Sequence, residues 1–471
     1  MASDKKTFNL LTSSATDVYQ LFERNELSAA SLAEQVFQQV DRHNTDGKHL
    51  RAIIAIAPRK QVLERARELD QERKNGRVRS RLHGIPFIVK DSIATDSSLG
   101  MSTTAGSWAL KESKPAKNAP VVEKLLEAGM ILIGKSSLST PTGSSTGSAV
   151  GVSAGFALLS LGLETDGSIL SPASRAALYA MKPTMESVSL EGIISVTKSL
   201  DAVGGMARSP ADLAALTELI QQTTTGDLNP RYHEVLKGDW SGIRLGFLNE
   251  TVWQLPHFLC EPNDDALKQM RSEYHQAMDK VAEHGVHVQY PVELPTGDEI
   301  WPYTGDIIKY EFQICINNYL QNLASSEVHN LGELVEWNRA HADKELPEEY
   351  PSQSSLENSL NNTITADENA KRVKIVRELG GPNGVDKVLQ QYNLDAIASL
   401  SDSPLSSVAT ASGYPVATMP LGILQLNGRP FGISMIAGKN QEHKLFQIMS
   451  AWETLYTRQP PPDLVRESSK M

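Results

Sequence analysis

The stretch from Gly134 to Thr184 constrains this chain more than any other. It carries two glycine–serine clusters, Gly143-Ser144-Ser145-Thr146-Gly147-Ser148 and Asp166-Gly167-Ser168. Small and apolar residues such as Gly155-Phe156-Ala157-Leu158-Leu159 lie between them. A flexible glycine–serine linker does not alternate with apolar segments, because it has no core to join. Glycine instead lets backbone N–H groups turn toward a ligand, and an exposed serine supplies a hydroxyl. The pattern predicts a buried framework that presents two polar turns.

A chain of 471 residues can build a large core, as one big α/β domain or as two domains. Hydrophobic residues at 40% and charged residues at 21% are an ordinary globular mix. A net charge of −11 argues against a nucleic-acid partner. The densest basic run, from Arg73 to Arg79, reads as a solvated loop after a helix. Cys260 and Cys315 make neither a disulfide framework nor a metal-ligand spacing, so a reducing compartment fits. The N-terminus lacks the apolar core of a signal peptide, and no stretch approaches a membrane span. A cytoplasmic location is therefore expected. The C-terminal Ser469-Lys470-Met471 is similar to a Ser-Lys-Leu peroxisomal address with Met for Leu, which keeps the peroxisome as a second compartment. The chain has no HExxH, and neither metal nor cofactor is expected.

Periodicity predicts helices after Ser28, over 62–69, after Asn118-Ala119-Pro120, after Ser209-Pro210, over 264–284 and over about 441–456. Strands are predicted at 52–56, 87–89, 130–133, 243–248 and 395–399, and as a pair at 415–424 and 431–437 around the hairpin signal Asn427-Gly428. Strand, helix and strand between 87 and 133 suggest a crossover unit. From about 296 to 384 the chain changes to aromatic and Glu-rich helices with polar loops, read as a helical insertion or cap. The expected fold is one large α/β domain with a mixed sheet between helix layers.

The strand at 87–89 is buried by composition, yet it ends in Lys90 and Asp91. Three readings of Lys90 stand side by side. It reaches solvent, it pairs with Asp91, or it sits in a desolvated site where its neutral form accepts a proton.

Several ordered motifs resemble those of the amidase signature family. Gly84-Ile85-Pro86-Phe87-Ile88-Val89-Lys90-Asp91 is similar to its G-x-P-x-x-x-K-D, and Thr103-Thr104-Ala105-Gly106-Ser107 to its T-T-x-G-S. Gly143 to Ser148 is similar to G-S-S-G-G-S, and Glu164-Thr165-Asp166-Gly167-Ser168-Ile169 to D-T-G-G-S-I. Pro172-Ala173-Ser174, Lys182-Pro183-Thr184, Ser412-Gly413-Tyr414-Pro415 and Arg429-Pro430-Phe431-Gly432 extend the likeness. The Glu164 variant and Arg175-Ala176-Ala177-Leu178-Tyr179 resemble the fungal branch.

The resemblance implies an amidase-like domain over 1–471, with a signature core over 80–224 and a helical insertion over 296–384. Its mixed sheet would be flanked by helices on both faces. It implies a Ser–cis-Ser–Lys triad of nucleophile Ser168, relay Ser144 and base Lys90. The oxyanion donors would be the N–H groups of Thr165, Asp166, Gly167 and Ser168. Gly143, Ser145 and Arg175 would support the site, Ser148 would hold the loop, and Pro172 would open the next helix. The implied reaction is hydrolysis of a small carboxylic amide through a serine acyl-enzyme, in a monomer or homodimer. Alternatives are a catalytically impaired binding or scaffold protein, or an amidotransferase subunit. The sequence departs from the family pattern in three places. Only residues 136–142 separate Lys135 from Gly143, Leu170 replaces an arginine, and Glu164 and Asp166 replace an aspartate and a glycine. A pairing of Arg175 with Asp166 is expected to compensate.

Overall fold

The structure, a computed structural model, describes residues 8–138, 143–222 and 231–468. Thirteen strands occur among them: β1 (Ile53–Ile56), β2 (Pro86–Lys90), β3 (Lys114–Pro115), β4 (Ile131–Ser136), β5 (Leu159–Glu164), β6 (Tyr179–Lys182), β7 (Ala202–Ala207), β8 (Arg244–Leu248), β9 (His287–Val292), β10 (Leu323–Ser325), β11 (Ala396–Leu400), β12 (Val416–Ile423) and β13 (Pro430–Ile436). Eleven of them form one mixed sheet in the order β1-β4-β2-β5-β7-β6-β12-β13-β11-β8-β9, and β3 pairs with β10 apart from it. Strand β2 runs parallel to both β4 and β5. The strands from β5 through β7, β6, β12, β13 and β11 are successively antiparallel. Strands β8 and β9 close the far edge in parallel.

Every residue of β2, β4, β5, β6, β7 and β11 is buried. Strands with no exposed face need helices over both sides of the sheet. Helices flank them as expected, among them Ala29–His43, Arg59–Lys74, Pro210–Ile220 and Glu442–Glu453. The hairpin at Asn427-Gly428 joins β12 to β13, with the Gly428 N–H donating to the Leu424 carbonyl at 2.8 Å. Strand β7 lies in mid-sheet directly before Ser209, so the sheet does not divide there.

Strands β5, β6, β7 and β9 escape the periodicity reading. Glycines within β5 and β7 weaken the local strand signal. Packing demands them: a Cβ on Gly162 would lie 2.8 Å from the Ser145 hydroxyl, and one on Gly204 would collide with the Met181 carbonyl of the neighbouring strand.

From residue 297 the chain is mainly helical, with helices Gly297–Gln321, Leu331–Ala340, Ala342–Glu345, Ser354–Leu360 and Ala366–Gly380. Capping boxes at Thr296/Glu299 and Thr365/Glu368 start two of them. An apolar cluster of Ile316, Leu320, Leu331 and Leu334 meets Ala94, Ala109 and Leu110 of the sheet half. The buried Glu311 carboxylate accepts from the Lys198 N–H (3.1 Å), the Ser199 N–H (2.9 Å) and hydroxyl (2.6 Å), and the Asn369 amide (2.9 Å). No helix of the described residues is long and apolar enough to cross a membrane.

Candidate active site

Strand β2 delivers Lys90 into the interior, where it is 2% exposed. Its Nζ donates to the Ser144 hydroxyl at 2.5 Å and to the Leu163 carbonyl at 2.9 Å. Burial pulls its pKa from 10.5 to about 7, although Asp201 and Glu164 favour the charged form. Lys90 thus neither reaches solvent nor pairs with Asp91. Asp91 lies 3.5 Å from the Nζ of Lys135 and accepts from the N–H (3.1 Å) and hydroxyl (2.6 Å) of Thr104. Lys135, near the end of the adjacent β4, donates to the Ile93 carbonyl and the Thr103 hydroxyl, both at 2.6 Å. Burial lowers its pKa to about 8. Sequence reasoning passes over Lys135 as a functional neighbour, although it follows an apolar strand just as Lys90 does.

Ser144 sits in the turn before the helix Thr146–Ser153. Gly143 makes that turn possible. Its φ is +94°, and a Cβ there would lie 2.6 Å from Pro172 Cδ and 3.2 Å from the Gly167 carbonyl. The Ser145 hydroxyl bridges the Leu163 backbone, donating at 3.1 Å and accepting at 3.3 Å, while its N–H donates to the Ser168 carbonyl at 3.1 Å. The Ser148 hydroxyl donates to the Leu161 carbonyl at 3.0 Å.

The second turn leaves the end of β5. Oε2 of the fully buried Glu164 accepts from the Ile169 N–H (2.7 Å) and the Leu170 N–H (3.0 Å), folding residues 165–168 back on themselves. Burial pushes the Glu164 carboxyl up. Gly167 turns with φ +76°. The Asp166 carboxylate accepts from Ser406 and Ser407, each at 2.7 Å. Thr165 donates its hydroxyl to Asp201 at 2.7 Å and accepts at its carbonyl from Thr410 at 2.7 Å. Burial raises Asp201 to about 6 and lowers Lys182, which donates to the Thr410 hydroxyl at 3.3 Å. Among the described residues, no hydrogen bond engages the N–H groups of Asp166, Gly167 and Ser168 or the Ser168 hydroxyl. Hydrogen bonds therefore join Lys90 to Ser144 directly, and Ser168 to this group through the backbone of Ser145.

Two expectations need correction. Arg175 does not pair with Asp166. Its guanidinium donates to Asp402 from Nε at 3.2 Å and Nη2 at 2.9 Å, beside Arg429 at 3.0 Å. The helix Leu170–Arg175 leads away from the Ser168 turn and leaves Arg175 at its far end, while two hydroxyls already satisfy Asp166. Arg175 instead lines a separate cavity of about 320 Å³ with Trp253 and Met270. Pro172, for its part, is the third residue of that helix rather than its first. Residues 139–142 of the shortened segment and the C-terminal Ser469-Lys470-Met471 lie outside the described residues.

Lys90, Ser144 and Thr165 open onto a cavity of about 410 Å³, ample for a small molecule. Leu110, Ile194 and Val196 line it from the sheet half, and Phe312, Ile316, Leu334 and Leu356 from the insertion. Sequence reasoning misses Asp201 and the insertion residue Glu345, which also lines this cavity, and reads Lys182 only as part of a motif.

The sequence profile of the amidase family matches residues 34–140 and 136–446. This chain belongs to the amidase family. A peptide amidase from Stenotrophomonas maltophilia superposes with a TM-score of 0.87 at 30% identity, over 97% of this chain and 99% of that one. A probable amidase of Arabidopsis thaliana is 29% identical over 98% of this chain and 93% of its own length. A glutamyl-tRNA(Gln) amidotransferase component of Chloroflexus aggregans is 36% identical, but over only 48% of this chain and 51% of its own length. This amidase is an amide hydrolase with the mixed-sheet fold of the family.

Proposed function

We propose that this amidase cleaves its substrate through an acyl-enzyme on Ser168, with Ser144 as proton relay and Lys90 as base. The observation that carries the reading is the 2.5 Å hydrogen bond between Ser144 and a lysine whose pKa burial brings to about 7. A serine hydroxyl attacks poorly until a base takes its proton, and a base works best with a pKa near the operating pH. Neutral Lys90 takes the Ser144 proton as Ser144 takes that of Ser168. The Ser168 oxygen then bonds to the amide carbon. The N–H groups of Thr165, Asp166, Gly167 and Ser168 receive the oxyanion, in keeping with those of Asp166, Gly167 and Ser168, which engage no hydrogen bond among the described residues. The C–N bond breaks as Ser144 returns a proton to the leaving nitrogen and recovers one from Lys90. Water next attacks the Ser168 ester, gives its proton to the same relay and releases the carboxylic acid. The helical segment 296–384 acts as the cap that shapes the acyl cavity.

A fluorophosphonate probe tests the assignment by intact-mass spectrometry and peptide mapping. The expected result is one adduct, on Ser168, in the native protein. Ser168→Ala should show neither adduct nor amide turnover while keeping the native circular dichroism spectrum. Labelling or turnover that survives in Ser168→Ala overturns the assignment.

A further inference from the structure

The cavity beside Lys90 holds one charged group that the reaction does not use. Glu345 ends the short helix Ala342–Glu345 of the insertion and lines the cavity wall. Its Oε1 accepts from the Ser107 hydroxyl (2.8 Å), the Trp108 N–H (2.6 Å) and the Ala109 N–H (3.3 Å). Its Oε2 has no partner among the described residues, although the side chain is half-buried. A clamp that merely tied the insertion to the Trp108 turn would need only the first oxygen. Three donors on one oxygen hold the carboxylate in a single orientation, so the second is a preorganised acceptor.

Charge points the same way. Among the described residues lining this cavity, the only one with a formal charge besides Glu345 is Lys90. Burial leaves Lys90 only about half charged near pH 7, so with Glu345 the walls carry a net negative charge there. The rest of the lining is apolar side chains, hydroxyls and amides. A lone carboxylate in such surroundings attracts a cation more strongly than it would in water, and repels an anion.

We infer that the substrate is an amphipathic amide with a cationic end. Its apolar body packs on Phe312, Ile316 and Leu334, its ammonium-type group donates to Oε2 of Glu345, and its amide carbon faces Ser168. The inference rests on the acyl-enzyme reading above and adds the substrate class to it.

Three primary carboxamides with one common phenylalkyl body test it, ending away from the amide in an ammonium, a hydroxyl or a carboxylate. The native enzyme should show a kcat/KM for the ammonium compound roughly tenfold or more above the hydroxyl compound, mainly through KM, with the carboxylate compound lowest. Glu345→Gln keeps an acceptor for the Trp108 turn and removes the charge. It should bring the ammonium-to-hydroxyl ratio down to about one. The same order should appear when the three compounds protect Ser168 from the fluorophosphonate probe, a readout independent of turnover. Ser107→Ala, which loosens the clamp but keeps the charge, should preserve the ratio. An unchanged ratio in Glu345→Gln, or no ammonium preference in a native protein that labels at Ser168, overturns this inference and leaves the acyl-enzyme standing. Failure of Ser168 to label overturns both.

Discussion

Replacing Lys90 by methionine removes the buried amine while keeping most of the side-chain volume. The native pKa falls from 10.5 to about 7. At 1.36 kcal/mol per pH unit, that displacement amounts to about 5 kcal/mol against the charged form. The folded pKa lies below the unfolded one, so between pH 7 and 10.5 the unfolded chain binds more protons. Native stability therefore climbs with pH across that window by about 1.4 kcal/mol per unit, and the full penalty is present below pH 7. Methionine does not titrate. The substitution forfeits two hydrogen bonds, to Ser144 and to the Leu163 carbonyl, at about 1 kcal/mol each. The Leu163 carbonyl keeps its bond from Ser145, so it is not orphaned. Lys90→Met should thus be more stable than the native protein by about 2 kcal/mol at pH 7.5, and no more stable at pH 9.5. Urea unfolding at pH 7.5, 8.5 and 9.5, followed by the fluorescence of the six tryptophans, measures the difference. Other titrating groups cancel between the two proteins. A difference independent of pH, or one that grows with pH, would mean that the folded protein holds Lys90 charged, and the base would have to be sought elsewhere.

Ser144→Ala should cut amide turnover by roughly 10²–10⁴-fold, and turnover of an activated ester much less, because a good leaving group needs no proton from the relay. Steady-state assays on a matched amide and p-nitrophenyl ester check this, and equal losses on both would count against a relay. Gly143→Ala forces a Cβ into Pro172 at a positive φ, so it should cost roughly 1–3 kcal/mol of stability in a urea titration and slow fluorophosphonate labelling of Ser168. An alanine variant with native stability and labelling rate would show that the Ser144 turn tolerates a shift.

What can be read from the sequence follows the range of the interactions. Lys90, Ser144 and Ser168 stand in local motifs, and a charged residue at the end of an apolar strand is visible without a structure. Lys135 carries the same signal but reads only as a motif boundary. Asp201 and Glu345 carry no local signal: one takes its role from Thr165, 36 residues away, and the other from Ser107, 238 residues away. Arg175 shows the converse error, because nearness in sequence suggests Asp166 whereas the fold supplies Asp402, 227 residues distant. Strand β7 escapes detection because Gly204 and Gly205 look like defects to a propensity argument. The Met181 carbonyl of the neighbouring strand leaves no room for a Cβ at 204, and Leu213 and Leu216 of the helix Pro210–Ile220 crowd one at 205.

The attachment of the insertion through Glu311 bears on how such an enzyme can change its diet. Two of the bonds that Glu311 accepts come from the backbone N–H groups of residues 198 and 199, which any amino acid but proline can supply. Those two bonds are therefore indifferent to mutational drift in the segment that Glu311 grips, whereas the bond from the Ser199 hydroxyl is not. Phe312, the very next residue, lines the cavity beside Lys90, and Ile316 follows one turn later on the same helix. A fixed anchor and a less buried wall residue sit side by side, so selection can rewrite residue 312 while Glu311 keeps its grip. A library varied at 312 and 356 with Glu311, Ile316 and Leu334 held constant would sample new amides on an unchanged scaffold.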